Sequence, residues 1–169
     1  VISSVFLSTL SGYAFGQLPI PGKNLLFPLM LLGYMVPFEA VIIPLYNWLD
    51  VLGLRNTYWA LIVPWCANAF SVFMMRQAFM SLPMDYFDAA KIDGCGHFRF
   101  LAWIGAPLVR PTIVTVGLFA FLASYNALLW PLVVTGEENM RVLQVGLAMF
   151  ANAEGVRVNL LMCASTIVI

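Results

Sequence analysis

Residues 88–107 read Asp88-Ala89-Ala90-Lys91-Ile92-Asp93-Gly94, then nine residues, then Ile104-Gly105-Ala106-Pro107. This charged stretch lies between two long apolar runs, and its own residues punctuate it. Ser81-Leu82-Pro83-Met84-Asp85 predicts a helix start: Ser81 caps, Pro83 suits the first turn, and Asp85 complements the positive end of the helix dipole. Gly94 predicts the stop, because glycine takes the left-handed conformation after a helix end at little cost. Gly96 lets the chain turn again. A second helix follows, with Phe98, Leu101 and Ile104 as an apolar stripe at helical spacing, and Pro107 and Pro111 mark its join to the next run. The segment is thus expected to be a hairpin of two short helices, about 83–93 and 96–105. In a chain that crosses a membrane, such a hairpin stands in water, where a soluble partner can reach it.

The runs on either side make the chain a membrane protein. It is 62% hydrophobic and 9% charged, with a mean hydropathy of +0.92. Soluble domains carry about 25% charged residues, so this chain has too few to cover a water-facing surface. Residues 1–22, 56–75, 111–136 and 158–169 contain no charge, and residues 24–49 contain only Glu39. A spanning helix needs about 20 mostly apolar residues. Four runs meet that length and the last is cut short. Val1 is not a start methionine and the last run ends without a polar flank, so the chain is expected to be a fragment of a longer protein. The first run lacks the cationic flank and small-residue cleavage site of a signal peptide. A net charge of zero gives no sign of nucleic-acid binding.

The expected fold is all-α: a polytopic bundle with spans near 1–17, 25–49, 57–80 and 107–133, and a fifth beginning near 157. Residues 1–169 are expected to form a single transmembrane domain, with the hairpin at 81–107 and an external segment at 135–156. Lys23, Arg76, Lys91, Arg99 and Arg110 fall on one side, and Arg55, Arg141 and Arg157 on the other. The excess of positive residues places the hairpin in the cytoplasm. Pro28, Pro37, Pro44, Pro64 and Pro131 lie at membrane depth, where each removes a backbone donor and tends to kink its helix. Such breaks persist in lipid where neighbouring helices or water satisfy the freed carbonyls. Cys66, Cys95 and Cys163 are widely spaced without a C-x-x-C pair, and His97 is the only histidine, so neither a disulfide framework nor a metal site follows. His97 is expected in a surface or capping role. No cofactor is called for.

Chemically the hairpin suits docking. Ala89 and Ala90 have no bulk and permit close approach. Tyr86, Phe87 and Ile92 offer apolar anchors, and Asp88 and Asp93 offer carboxylates to a partner's Arg or Lys. The plainer reading is an Asp88–Lys91 pair at i,i+3 on a solvated helix.

The spacing of Asp88-Ala89-Ala90, Gly94, Ile104 and Pro107 resembles the EAA loop of ABC-importer membrane subunits. So does the rest of the chain: Met35-Val36-Pro37, Ile43-Pro44-Leu45-Tyr46, Leu52-Gly53-Leu54, Met75-Arg76-Gln77-Ala78-Phe79, Tyr125-Asn126 with Trp130-Pro131-Leu132, and Val145-Gly146-Leu147. The likeness is greatest to permeases of the sugar and glycerol-phosphate group, in particular the smaller permease of the maltose type. It implies a six-helix permease working with a second homologous permease, a separate ATP-binding subunit and an external solute-binding protein, in the cytoplasmic (inner) membrane of a bacterium or archaeon. It also implies that Tyr86, Phe87, Asp88, Ala89, Ala90, Asp93 and Gly94 meet the ATPase, and that the external segment reaches toward the binding protein. Asp88 stands where the family usually has Glu, and Ala106 where it usually has Leu. The aspartate keeps the charge one methylene shorter.

For the solute pathway the candidates are Glu39, Asn68, Tyr125 and Asn126. Glu39 is the only charge deep in an apolar run, where charges usually face a cavity or a partner. It is either a polar pore wall, a structural bond to Asn68, Asn126 or backbone, or a residue near the membrane exit. Tyr125 and Asn126, with Trp130, suit the apolar face and hydroxyl edge of a sugar, although Trp and Tyr also gather at membrane interfaces, as expected of Trp48, Tyr58, Trp59 and Trp65. No G-x-x-x-x-G-K-[ST] occurs, so ATP hydrolysis belongs to another chain. An ion-driven transporter using Glu39 would show several intramembrane ionisable groups. A membrane enzyme would show H-E-x-x-H, G-x-S-x-G or paired acids, and neither motif is present.

Overall fold

A computed structural model of the chain describes residues 1–152, 162–164 and 166. Most of the expected fifth span and positions 153–156 of the external segment lie outside these, as do Glu154 and Arg157; of that span only residues 162–164 and 166, all helical, are described. The helices are α1 (Ile2–Gln17), α2 (Lys23–Tyr34), α3 (Phe38–Val51), α4 (Tyr58–Ile62), α5 (Ala69–Met80), α6 (Met84–Ile92), α7 (His97–Phe100), α8 (Ala106–Leu108), α9 (Arg110–Tyr125), α10 (Leu129–Val134) and α11 (Leu143–Asn152). There is no strand among the described residues.

Three expected spans are broken rather than continuous. The second stops at Met35, whose N–H bonds the carbonyls of Leu31 and Leu32, and resumes after Pro37, which has no N–H to give. The third winds into a 3₁₀ turn at Val63–Trp65 around Pro64 and restarts at Ala69, where the Asn68 side chain accepts from the N–H groups of Phe70 and Ser71. The fourth ends at Tyr125 and restarts at Leu129, with Pro131 inside the first turn of α10, where its missing donor costs nothing. Pro28 and Pro44 sit inside unbroken helices. No single helix among the described residues is long and apolar enough to cross a membrane. The pairs Lys23–Tyr34 with Phe38–Val51, Tyr58–Trp65 with Ala69–Met80, and His97–Leu108 with Arg110–Tyr125 pass together by length and composition. The last pair bends by 81°, so the hairpin's second helix turns sharply into α9 rather than prolonging it.

The chain divides into two compact units. In the first, Val1–Pro37 and Trp65–Phe121, α1 packs along α5 and α2 packs on α5 as well. Its core is Tyr13, Met75, Phe79, Ala90, Phe100, Leu101, Val109 and Val116. On α1 the small residues Ser4, Ser8 and Gly12, spaced by four, are all buried, which puts them on one helical face. Short side chains there let the two backbones approach. Ser8 is fully buried and its hydroxyl has no hydrogen-bond partner. The turn after α1 is tied down by side chains: Gln17 donates to the Phe79 carbonyl at 2.6 Å, Lys23 to that of Leu18 at 2.9 Å, and Arg76 Nε to that of Phe15 at 3.4 Å. The Arg76 guanidinium lies 4.2 Å over the Phe27 ring.

The second unit is Phe38–Pro64 with Leu122–Ile169. Leu49, Ala60, Trp130 and Val134 form its core, with Phe38, Ile42, Leu45, Tyr46, Leu54 and Leu61 packed around them. Asn56 joins two of its loops. It holds a left-handed backbone at φ 53°, its N–H donates to the Val134 carbonyl, and its Oδ1 accepts from the N–H groups of Gly136 (3.0 Å) and Glu137 (3.3 Å). Asparagine tolerates this φ better than other residues bearing a Cβ. Asn56→Ala is expected to speed amide exchange at Gly136 and Glu137 by roughly tenfold, the size of one lost hydrogen bond. Exchange unchanged in mass spectrometry of the loop peptides would refute the brace. Next to it, Arg55 pairs with Asp50 at 3.1 Å. That hydrogen bond raises the guanidinium pKa above its usual value.

In both units large apolar side chains face outward, among them Ile2, Leu25, Leu29, Val51, Trp59 and Val114. So much exposed apolar surface is covered in use by lipid or by other chains. Trp48, Tyr58, Trp59 and Trp65 all belong to this exposed set.

Candidate functional site: the charged hairpin

The hairpin forms where the sequence places it, but it starts differently. Ser81 does not cap α6. Its hydroxyl donates back to the Ala78 carbonyl at 2.8 Å, finishing α5, and Pro83 is the N-cap without a side-chain bond. A serine three residues from the last carbonyls of one helix reaches them more easily than it reaches across a proline. Asp85 lies in the first turn of α6 and Lys91 in the last, the favourable order for the helix dipole.

The stop is fully determined. Gly94 has φ 71° and its N–H donates to the Lys91 carbonyl, while the Cys95 N–H donates to the Ala90 carbonyl at 2.8 Å. This is the paired closure of a Schellman motif, which needs a left-handed residue after the helix. Gly96, by contrast, is extended (φ −73°, ψ 164°) and serves as the N-cap of α7, so it turns the chain without using glycine's special freedom. After α7 the helix widens into a π turn, Leu101–Gly105, in which the Ala106 N–H reaches the Leu101 carbonyl. Pro107 follows directly. It has no N–H, and its ring needs room at the carbonyl four residues back, which the wider turn supplies.

The faces of the two short helices divide the expected docking residues. Tyr86, Asp88, Ala89, Ile92, Asp93 and Gly94 are exposed, Ile92 by 87%. Phe87 and Ala90 turn inward instead. Ala90 is buried in the chain's own core, and Phe87 packs edge-on against Phe100 at 5.2 Å. Helical spacing explains much of it: 87 and 90 share a face, 88 and 89 lie opposite, and 86 and 93 flank it. On the second helix the inward residues are Phe100, Leu101, Gly105 and Val109, while Phe98 points out. Of the stripe expected at Phe98, Leu101 and Ile104, Leu101 lies in the core and Ile104 packs against it, and only Phe98, which precedes the π turn, falls outside it.

Asp88 and Lys91 make no pair. Among the described residues none of Asp85, Asp88, Lys91, Asp93 and Arg99 takes part in an ion pair, so they carry charges that no other side chain neutralises. Beside them Ala90, Asp93, Cys95, Arg99, Trp103 and Ile104 line a groove of about 370 Å3. Asp93 and Arg99 give it both signs of charge, and Trp103 and Ile104 give it an apolar wall. Sequence reading missed the groove, although Cys95, Arg99 and Trp103 recur at intervals of four. It also missed the partner of His97: a hydrogen bond of 3.1 Å joins His97 Nδ1 and the Tyr13 hydroxyl of α1.

The solute-pathway candidates are scattered in role. Glu39 is exposed in the first turn of α3 and has no hydrogen bond or ion pair among the described residues. Asn68 spends its side chain capping α5. Asn126 is exposed and donates to the Leu122 carbonyl at 2.9 Å, closing α9. Neither amide bonds Glu39. Tyr125 is the half-buried last residue of α9. Cys66, Cys95 and Cys163 are free thiols.

Residues 5–169 match the model of a family described as the binding-protein-dependent transport system inner membrane component. Over its whole length the chain is 36% identical to the arabinooligosaccharides transport system permease protein AraQ of Halalkalibacterium halodurans, covering 61% of that protein. It is 32% identical to the lactose transport system permease protein LacG of Rhizobium radiobacter, over 89% of this chain and 55% of that one. It is also 32% identical to the sn-glycerol-3-phosphate transport system permease protein UgpE of Yersinia pestis, over 91% and 55%. Its fold is similar to a chain of a bacterial ABC transporter involved in the import of the acidic polysaccharide alginate. That match has a TM-score of 0.83 at 23% identity and covers 98% of this chain and 59% of the other. The chain thus spans about three fifths of the length of these relatives, and its all-helical fold is that of an importer permease.

Proposed function

From the premise that the chain belongs to the family of binding-protein-dependent transport system inner membrane components, we propose that it is part of the permease subunit of an ATP-driven carbohydrate importer. It forms half of a pore in the cytoplasmic membrane, beside a second homologous permease and surrounded by lipid. Hydrolysis occurs on a separate ATP-binding subunit, which docks on the hairpin at 81–107. An external binding protein delivers solute to the opposite side, where the segment at 135–156 meets it. The solute class follows the relatives, whose names give arabino-oligosaccharides and lactose. The glycerol phosphate of UgpE is the alternative for a small polar solute.

One observation carries the docking role. A rigidly closed hairpin presents Asp88 and Asp93 unpaired, flanked by exposed Tyr86 and Ile92 and by the groove under Trp103. Unpaired charges next to exposed aromatic and aliphatic side chains make a surface that a cationic, partly apolar partner completes. Phe87 and Ala90 support that surface from behind, and Gly94 fixes its end. Glu39, Asn68, Tyr125 and Asn126 remain our pathway residues, Asn68 being also the cap of α5.

The test is copurification of the ATPase with the full-length protein and its partner permease. Asp88→Arg, or Gly94→Pro, which removes a donor of the closing motif, is expected to lower ATPase recovery by roughly tenfold or more at equal membrane insertion. Reversing one interfacial charge costs at least that much. Equal recovery from wild type and both variants would refute the docking role.

A further inference from the structure

The hairpin touches the rest of its unit in two ways. The first is apolar: Phe87, Ala90, Phe100 and Leu101 share a core with Tyr13, Met75 and Phe79. The second is the bond between His97 Nδ1 and the Tyr13 hydroxyl, two residues 84 positions apart. Among the described residues it is the only hydrogen bond joining residues 84–108 to α1 or α5. The distinction matters for motion. Apolar contact has no preferred direction, so two elements can slide past each other while staying buried. A hydrogen bond has a direction and a length and fixes one register.

The surroundings hold Tyr13 in place, while His97 is exposed and lies against a ring of its own hairpin. Tyr13 is buried, with Phe79 edge-on at 5.4 Å and Phe100 stacked at 6.1 Å. The His97 ring lies 5.5 Å from Phe87 and 6.4 Å from Tyr13. The tyrosine hydroxyl therefore emerges from a fixed aromatic cluster at the place where the first residue of α7 arrives. The Tyr13 ring has no freedom to follow the hairpin if the hairpin moves alone.

We propose that Tyr13 and His97 form a positioning pair that carries motion of the docking hairpin into α1. This rests on the reading of the hairpin as the ATPase dock. When the ATPase displaces the hairpin, the bond makes α1 move with α7, and α1 draws α5 through their close packing. Without the bond the apolar core lets the hairpin shift while α1 stays. Tyr13 and His97 contact neither nucleotide nor solute in this proposal. They act by keeping two elements in register.

The experiment uses the assembled transporter, with full-length protein, partner permease and ATPase, in nanodiscs. Cys66, Cys95 and Cys163 are changed to serine and Phe6, an exposed residue near the far end of α1, to cysteine. Its reaction rate with a membrane-impermeant maleimide is measured without nucleotide and with ATP and vanadate. ATPase retention is measured on the same preparations. In the otherwise unchanged background, trapping is expected to change the rate roughly tenfold, as a two-state shift of ordinary coupling strength does. Tyr13→Phe keeps the ring and removes the hydroxyl, and His97→Ala removes the other partner. Each should retain the ATPase and lose the nucleotide response, the double variant should be no worse than either single one, and His97→Gln should restore part of it. A full response in Tyr13→Phe, additive losses in the double variant, or no response in the unchanged background with ATPase bound would each overturn the pair. Failure of the assembled wild-type transporter, with all three cysteines in place, to retain ATPase would instead overturn the docking reading, and the pair with it.

Discussion

Replacing Gly12 by valine is expected to unseat α1 from α5 and leave the protein unable to withstand purification. A Cβ at Gly12 would collide with Met75 Cβ and lie 2.9 Å from the backbone of Met75 and Arg76. These are not the ends of flexible side chains, so the helices themselves must part, by roughly 1 Å to restore normal contact distance. Overpacking of this kind costs about 1–3 kcal/mol or more. Helix propensity works the other way, since alanine is favoured over glycine by about 1 kcal/mol. A comparison at Gly16 separates the two effects. There a Cβ would meet Phe79 Cβ at 3.3 Å, a misfit of a few tenths of an ångström, and Gly16→Ala is expected to be near neutral. Thermal unfolding of the full-length protein in detergent should rank wild type and Gly16→Ala together, Gly12→Ala lower, and Gly12→Val lowest. A Gly12→Val midpoint equal to that of wild type would mean that α1 and α5 are not packed this closely.

How far the sequence revealed this fold depends on the range of the interaction. Signals confined to one segment were readable. The charge-free runs placed the apolar helices, Asp85 marked the start of α6, and Gly94 announced the closure that its φ of 71° requires. The breaks were harder, because proline has the same local chemistry everywhere. Pro37 and Pro64 coincide with breaks and Pro28 and Pro44 do not, and that choice is made by what packs around each helix. Ser81 could serve either neighbouring helix, and only geometry decides for α5. The inward turn of Phe87 and Ala90 was latent in their spacing, but a docking surface and a core look alike until it is known which side is covered. The small stripe at Ser4, Ser8, Gly12 and Gly16 carried a readable signal of close helix approach at intervals of four. The Tyr13–His97 bond carried none, since nothing local links residues 84 positions apart.

Trp130→Ala is expected to be the most damaging single truncation in the second unit. The side chain is 2% exposed, lies edge-on to Phe38 at 5.9 Å, and donates its Nε1–H to the Ala60 carbonyl at 3.0 Å. Removing so large a buried side chain costs about 3–5 kcal/mol. The loss of the indole donor also strands the Ala60 carbonyl, for roughly a further 1–3 kcal/mol if no water enters. Trp130→Phe divides these contributions: it keeps most of the ring area against Phe38 and Leu49 but loses the donor, so its cost should be about that of the hydrogen bond alone. The same pair of variants decides what Trp130 is for. A tryptophan that faces solute would affect uptake by the reconstituted importer more than it affects the unfolding midpoint, with Trp130→Phe tolerated in stability and impaired in transport. A tryptophan that holds α10 against α4 would do the reverse, and transport would fall only in step with the amount of folded protein. Its burial and its bond to Ala60 select the second outcome. Transport lost in Trp130→Phe at an unchanged midpoint would return Trp130 to the solute pathway with Tyr125 and Asn126.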